Sequence, residues 1–203
     1  MDAQTCLKKM QLVGTLSMAT VDENGAPQIR CVSAVHYEPD AVYFLTSRGK
    51  EMTRQLMVDG RIQTLVHTRF NEMIRMSGRA ELAPEDEQRH WVDTVFEEQP
   101  YLANVYPGET RDVCVIFKVT DIVLDYFNLG VRPIERGVYA IDGSDAPAKG
   151  YRITDVCIGC GACQASCPQG CIVAGEPYRI ESEYCLHCGA CAKNCPVGAV
   201  ERL

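Results

Sequence analysis

The chain has 203 residues, 46% hydrophobic and 23% charged, which is enough for one domain of ordinary size and a second, small one. Its formal net charge of −7 argues against nucleic acid as a partner, because binding a phosphate backbone needs a basic surface. No stretch reaches the roughly 20 apolar residues of a transmembrane helix, so we expect no membrane span.

Residues 1–128 have the pattern of a β-rich domain with a few helices. Helices are predicted at 2–11, 51–59 and 84–98, and strands at 15–21, 28–37, 41–46, 61–68, 73–82, 113–119 and 121–127. Asn24-Gly25 is a strong hairpin signal between the first two strands, Gly60 ends the second helix and Pro84 opens the third. Six or seven antiparallel strands with interspersed helices indicate an α+β fold built on a small barrel.

A local excess of positive charge follows the third predicted strand. From residue 48 to residue 79 the chain carries seven basic and three acidic residues, although residues 1–150 hold 16 basic and 22 acidic ones. Four residues end that strand and open the next helix: Thr46, Ser47, Arg48 and Lys50. Hydroxyls, the N–H groups of a helix start and positive charge together suit a phosphate. The alternative is an ordinary solvated loop.

The run GTLSMATVDENGAPQIRCVSAVHYEPDAVYFLTSRGKEMTRQLMVDGRIQTLV, residues 14–66, resembles the pyridoxamine 5′-phosphate oxidase-like, FMN-binding split β-barrel family. The shared pattern is a strand, a hairpin of the form xGxP, a strand bearing an arginine, the sequence YFLT, and a lysine that opens a helix. The resemblance implies an antiparallel split β-barrel that binds FMN, and a homodimer with flavin at its interface. It also implies that Arg30 lies on the strand beneath the flavin, with Val32 and Ser33 at the polar edge of the ring. For Arg30, a surface position on a half-exposed strand is the alternative.

One departure from the family bears on the reaction. The oxidases themselves carry a C-terminal tryptophan and arginine segment that holds the substrate phosphate, and here other sequence replaces it. Pyridoxamine phosphate oxidation is therefore not expected. Residues 129–150, rich in glycine and proline, are predicted to be a linker with one short strand near 138–141. The remaining residues, 151–203, form a separate small domain.

Eight of the twelve cysteines form one pattern, C-x2-C-x2-C-x3-C-P, written twice with the second copy 28 residues after the first. This spacing is typical of a [4Fe–4S] cluster, and its duplication resembles the two-cluster ferredoxins of bacteria. The fourth cysteine of each copy is expected to ligate the other cluster. Cluster I then takes Cys157, Cys160, Cys163 and Cys195, and cluster II takes Cys185, Cys188, Cys191 and Cys167.

Zinc and disulfides are the alternatives for these cysteines. Structural zinc usually takes paired C-x2-C knuckles, and disulfides need an oxidising compartment. The N-terminal sequence lacks a signal-peptide pattern, so we expect a cytoplasmic protein. Cys171 aligns with Ala199 of the second repeat and is given no ligand role, while Cys6, Cys31 and Cys114 are expected to be small buried residues.

The sequence thus predicts an FMN-dependent iron–sulfur oxidoreductase that passes electrons between two [4Fe–4S] clusters and FMN. Its expected partner is a redox protein or a small electron donor or acceptor, and no residue pattern indicates the substrate. A second hypothesis is an electron carrier or subunit whose barrel is a docking and dimerisation platform. A third is a redox sensor or a flavin reductase that uses free flavin.

Overall fold

The computed structural model describes residues 1–141 and 146–203, and the chain divides into two compact units. The barrel unit comprises Met1–Thr68, Met73–Leu124 and the described part of Tyr139–Asp145. The cysteine-rich unit comprises Arg69–Glu72, Asp125–Val138 and Ala146–Leu203. Residues 142–145 of the predicted linker lie outside the described residues.

The α-helices range from 4 to 14 residues in length and the strands from 2 to 15. The helices are α1 (Ala3–Val13), α2 (Glu51–Val58), α3 (Glu85–Glu98), α4 (Leu102–Val105), α5 (Ala162–Ala165) and α6 (Ala190–Lys193). The strands are β1 (Leu16–Val21), β2 (Pro27–Val32), β3 (Val35–Tyr37), β4 (Val42–Ser47), β5 (Arg61–His67), β6 (Glu72–Leu82), β7 (Cys114–Asn128), β8 (Glu135–Ala140), β9 (Tyr151–Ile153), β10 (Ile172–Val173), β11 (Arg179–Ile180) and β12 (Val200–Arg202). None of the helices in the described ranges is long and apolar enough to cross a membrane.

One curled sheet organises the barrel. Its strand order is β2-β1-β5-β6-β7-β4-β3, with β8 paired to β7. The pairs β1–β2, β1–β5, β5–β6, β4–β7 and β3–β4 are all antiparallel. This sheet, with its interspersed helices, confirms the predicted α+β split barrel.

Three of the predicted strands, 28–37, 113–119 and 121–127, have wrong boundaries. The predicted strand 28–37 is interrupted at Ser33 and Ala34, because its first half pairs with β1 and its second half with β4. The Ala34 carbonyl accepts a hydrogen bond from the Leu45 N–H at 2.9 Å at this crossing. Conversely, the two strands predicted at 113–119 and 121–127 form the single strand β7. Asp121 adopts a φ of 53° within it, a local kink that leaves the strand continuous.

Helix α3 covers one side of the sheet and supports the β3–β4 pair. The buried residues Val92 and Val95 form its apolar face, and the half-buried Trp91 ring stacks on Tyr43 with ring centroids 4.0 Å apart. His36 lies beside Trp91 and contacts Glu38 and Glu98, each at 2.9 Å. These contacts hold β4 in place, and β4 ends in Thr46 and Ser47, two of the predicted site residues.

The cysteine-rich unit has little apolar material of its own. Its strands form two short antiparallel pairs, β9–β12 and β10–β11. Its core cluster centres on Cys163, Ile172 and Cys191, so cysteines make up part of the buried interior. Helices α5 and α6 begin after Gly161 and Gly189, whose φ angles of 74° and 76° favour glycine. Metal ligation is therefore expected to supply much of this unit's stability.

Candidate cofactor sites

A cavity of about 380 Å³ lies at the end of β2, where the chain crosses to β3. Its walls come from the ends of β2 and β4, the start of α2, and α4 with its flanking tyrosines. Five of the seven residues predicted to bind flavin line it: Arg30, Val32, Ser33, Thr46 and Lys50. Its volume falls in the usual range for small-molecule and cofactor sites.

The other two predicted residues, Ser47 and Arg48, lie outside this lining in the described part of the chain. The Ser47 carbonyl accepts hydrogen bonds from the Lys50 N–H at 3.1 Å and the Thr53 hydroxyl at 2.7 Å. Arg48 is exposed and donates to the Asp112 carbonyl at 2.9 Å. Ser47 therefore shapes the turn before α2, and Arg48 fastens that turn to the segment before β7.

The Thr46 hydroxyl is a buried polar group that a ligand in this cavity could satisfy. Thr46 is 1% exposed, lines the cavity, and its Oγ1 has no hydrogen-bond partner among the residues that the structure describes. A buried hydroxyl left without a partner costs about 1–3 kcal/mol. A ligand oxygen in the cavity would supply the missing hydrogen bond, so this residue fits a bound phosphate or flavin.

Two side chains outside the cavity lining, Gln55 and Thr20, hold the Arg30 guanidinium in position. Its guanidinium donates to the Gln55 side-chain oxygen at 2.9 Å and also contacts the Thr20 hydroxyl, which itself donates to Gln55 at 2.6 Å. Partial burial lowers the pKa of Arg30, although an arginine stays charged at neutral pH. The cavity therefore has a fixed positive charge on the strand that forms one wall.

The start of α2 brings a second positive charge to the cavity. Lys50 is the exposed residue at the N-cap of this eight-residue helix, and both Lys50 and Glu51 line the cavity. The Glu51 carboxylate accepts from Arg54 at 2.7 Å, which offsets its negative charge. Lys50 and the helix N-terminus are thus the features of this wall that favour an anion.

The opposite wall was missed by the sequence patterns. It is formed by Tyr101, Leu102, Val105 and Tyr106. The Tyr101 and Ser33 hydroxyls are 2.7 Å apart, which joins this wall to the β2–β3 crossing. The only local signal was an apolar and aromatic run between Pro100 and Pro107, and nothing in it indicates contact with a strand about 70 residues earlier.

The prediction of a buried Cys31 is wrong. Cys6 and Cys114 are buried as expected, but Cys31 is exposed and lines the cavity. The reason is that β2 lies at the end of the sheet order, so the face bearing Ile29 and Cys31 has little covering it.

Two further cavities lie in the cysteine-rich unit, and each is lined by the first three cysteines of one repeat and by the fourth cysteine of the other. The first is lined by Cys157, Cys160, Cys163 and Cys195, and the second by Cys185, Cys188, Cys191, Cys167 and also Cys171. Within residues 1–141 and 146–203, no three His, Cys, Asp or Glu side chains converge closely enough to hold a single metal ion. Four cysteines of the doubled motif at one cavity are the type of ligand set that a [4Fe–4S] cluster takes.

Cys195 and Cys167, which each line the cavity of the other repeat, have surroundings that favour the thiolate form. Desolvation raises the pKa of Cys195, but the N–H groups of the turn after it outweigh this and hold its pKa below the usual value. The Ala199 N–H, 3.2 Å from the Cys195 sulfur, is one of these donors. The pKa of Cys167 is lowered in the same way, against desolvation, by N–H groups that include that of Cys171. Thiolates are the form in which cysteine binds iron.

Comparisons with known proteins match two separate segments of the chain. Residues 5–118 match the family model described as pyridoxamine 5′-phosphate oxidase, and residues 156–199 match the 4Fe-4S dicluster domain. A pyridoxine/pyridoxamine 5′-phosphate oxidase from Escherichia fergusonii is 32% identical over 81 residues, which are 39% of this chain and 37% of that protein. The chain thus matches little more than a third of that relative's length.

Solved structures share the barrel fold. A nimC/nimA family protein from Clostridium acetobutylicum is 17% identical with a TM-score of 0.56, over 68% of this chain and 90% of its own. PhzG from Burkholderia lata, solved with tetrahydrophenazine-1-carboxylic acid, is 18% identical with a TM-score of 0.55, over 72% and 90%. At these identities the likeness establishes the fold. The chain therefore belongs to the pyridoxamine 5′-phosphate oxidase family, with an FMN-binding type of split barrel followed by a 4Fe-4S dicluster ferredoxin domain.

Proposed function

We propose that this protein is an iron–sulfur flavoprotein oxidoreductase that passes electrons between two [4Fe–4S] clusters and FMN. The observation that carries the proposal is one chain with two kinds of cavity. One cavity is lined by the Thr46 hydroxyl and two positive charges, and each of two others is lined by three cysteines of one repeat and the fourth cysteine of the other. A flavin exchanges electrons singly or as a hydride, whereas a cluster of this kind carries one electron, so the combination interconverts one-electron and two-electron chemistry.

In the barrel, Thr46, Lys50 and the start of α2 would take the FMN phosphate, supported by the turn that Ser47 and Arg48 shape. Arg30, anchored by Gln55, would place positive charge beside the ring. Val32 and Ser33 would meet its polar edge, and Tyr101 would close the outer side through the Ser33 hydroxyl. The charges and hydroxyls on the two walls support this placement because the ligand is an anion with a polar ring edge.

In the cysteine-rich unit, we assign cluster I to Cys157, Cys160, Cys163 and Cys195, and cluster II to Cys185, Cys188, Cys191 and Cys167. The two cysteine-lined cavities support this crossed arrangement. We retain residues 1–128, 129–150 and 151–203 as barrel, linker and ferredoxin domain. A reducing cytoplasm suits this set of thiolate ligands.

A homodimer through the barrel is part of the proposal. On the outer face of the sheet, Ile29 is 75% exposed, and Cys31 and Leu65 are both paired with Ser17 in register. Apolar side chains on an end strand are an expected contact for a second copy. The reaction partner is proposed to be a redox protein or a small electron donor or acceptor. The relative's oxidase activity is not carried over, because the match covers 37% of its length.

Cofactor content and oligomeric state test the proposal together. Protein purified without oxygen should carry about eight iron, about eight sulfide and one FMN per chain, and should sediment as a dimer. Iron and sulfide without flavin would favour the electron-carrier reading, in which the barrel serves as a docking platform. One zinc ion bound per four cysteines, with no acid-labile sulfide, would refute the cluster assignment.

A further inference from the structure

The two cysteine repeats fold alike and differ by one thiol. The Cys171 carbonyl accepts the Glu181 N–H at 2.8 Å, and the Ala199 carbonyl accepts the Thr154 N–H at 2.8 Å. Each residue also donates its own N–H to the sulfur of the crossing cysteine four positions earlier. Positions 171 and 199 are therefore equivalent in the backbone, and cysteine stands at the first where alanine stands at the second.

That extra thiol contacts a cluster ligand. Cys171 is 3% exposed, lines the second cavity, and its sulfur lies 3.5 Å from the sulfur of Cys167. When Cys167 ligates iron it is a thiolate and carries no proton, so the hydrogen between the two sulfurs belongs to Cys171. The Cys171 thiol then donates a hydrogen bond to a ligand of cluster II. Ala199 offers cluster I no side-chain donor.

We propose that the Cys171 thiol makes the two clusters unequal, by holding the reduction potential of cluster II above that of cluster I. This inference rests on the proposed presence of two clusters. A hydrogen bond to a ligating sulfur stabilises the additional negative charge of the reduced cluster, and such bonds are among the features that set cluster potentials. Cys171 acts through Cys167 and is therefore a positioning residue.

A positive charge near cluster II favours the same order. Both cavities have apolar linings, with Ile153, Ile158, Val197 and Val200 in the first and Ile172, Ile180 and Leu186 in the second. Beside cluster II, the Arg136 guanidinium lies 3.4 Å from the Cys185 carbonyl, although Asp125 shares its charge at 3.5 Å. Positive charge near a cluster also stabilises its reduced form. An electron that enters this unit then rests on cluster II, and cluster I is the stronger reductant.

Reciprocal substitutions in the full-length protein test the inference. Potentiometric titration followed by EPR, on anaerobically purified protein, should resolve two one-electron steps in the wild type. Cys171→Ala should lower the higher step by about tenfold in its equilibrium constant, or about 59 mV for a one-electron couple, and leave the lower step in place. Ala199→Cys should raise the lower step. The double variant should reverse which repeat holds the higher step.

Cys171→Ser separates the hydrogen bond from packing, because a hydroxyl keeps the donor. We expect its higher step to stay closer to the wild-type position than that of Cys171→Ala. Equal shifts in these two variants, an unmoved step in Cys171→Ala, or shifts of both steps together would overturn the inference. If Cys171→Ala fails to assemble cluster II, Ala199→Cys decides: a raised lower step supports the inference and an unchanged one refutes it. Wild-type protein without two clusters would instead refute the proposed function.

Discussion

Cys195→Ala is expected to remove the cluster whose other ligands are Cys157, Cys160 and Cys163, and to spare the cluster of its own repeat. The reason is the crossing seen in the cavities, where the fourth cysteine of each repeat lines the cavity of the other. Iron should fall from about eight to about four per chain. Iron and sulfide analysis with EPR spin quantitation measures the loss.

Double variants show which cluster is lost. If the ligands cross, Cys157→Ala with Cys195→Ala removes two ligands of one cluster and still leaves about four iron per chain. Cys185→Ala with Cys195→Ala removes one ligand of each and should leave almost none. The opposite outcome would mean that each repeat binds its own cluster. Cys31→Ala, in the barrel unit, is the matched control and should leave the iron content unchanged.

Lys50→Ala is expected to weaken FMN binding by roughly ten- to a hundredfold, since each charge-assisted contact contributes about 1.5–3 kcal/mol. The lysine lies at the N-cap of α2 and lines the cavity, so in the proposed placement its charge and the helix N-terminus would act on the same phosphate. Riboflavin lacks the phosphate and should bind the wild type poorly and the variant almost equally. Titration of flavin-free protein with both ligands measures this, and the iron content should not change.

Two further residues sharpen that test. Arg79→Ala is the matched control: its guanidinium pairs with Glu81 at 3.1 Å and lies outside the cavity lining among the described residues, so FMN affinity should stay near that of wild type. Thr46→Val removes the hydroxyl that has no partner in the described chain. It should weaken FMN but raise the free energy of unfolding of flavin-free protein by about 1 kcal/mol or more. Equal loss of FMN and riboflavin affinity in Lys50→Ala would refute the phosphate placement.

The features that were predictable from the sequence are those encoded locally. The cysteine spacing, the Asn24-Gly25 hairpin and the alternation of the strands depend on residues a few positions apart. The cluster domain and a small α+β barrel followed from them, and the resemblance to the oxidase-like family identified the barrel as a split barrel. Thr46, the last residue of YFLT, and Lys50 were also predictable, because a strand end and a helix start bring them together within five residues.

The missed features depend on contacts between distant parts of the chain. The break at Ser33 arises because the two halves of one predicted strand pair with different strands. Tyr101 reaches the cavity across 68 positions from Ser33. The exposure of Cys31 follows from the place of β2 in the sheet order, and the role argued for Cys171 follows from a contact that an alignment of the repeats leaves out. No local pattern contains this information.

Transfer of electrons between the clusters and the flavin is tested most directly by rapid mixing without oxygen. Oxidised protein is mixed with reduced methyl viologen, a one-electron donor, while the absorbances of the clusters and of the flavin are followed separately. We predict that the clusters are reduced first and the flavin follows in the wild type. In Cys167→Ala with Cys195→Ala, checked to retain FMN, flavin reduction should be much slower. Flavin that stays oxidised beside reduced clusters, or that is reduced equally fast without them, would contradict the proposed function.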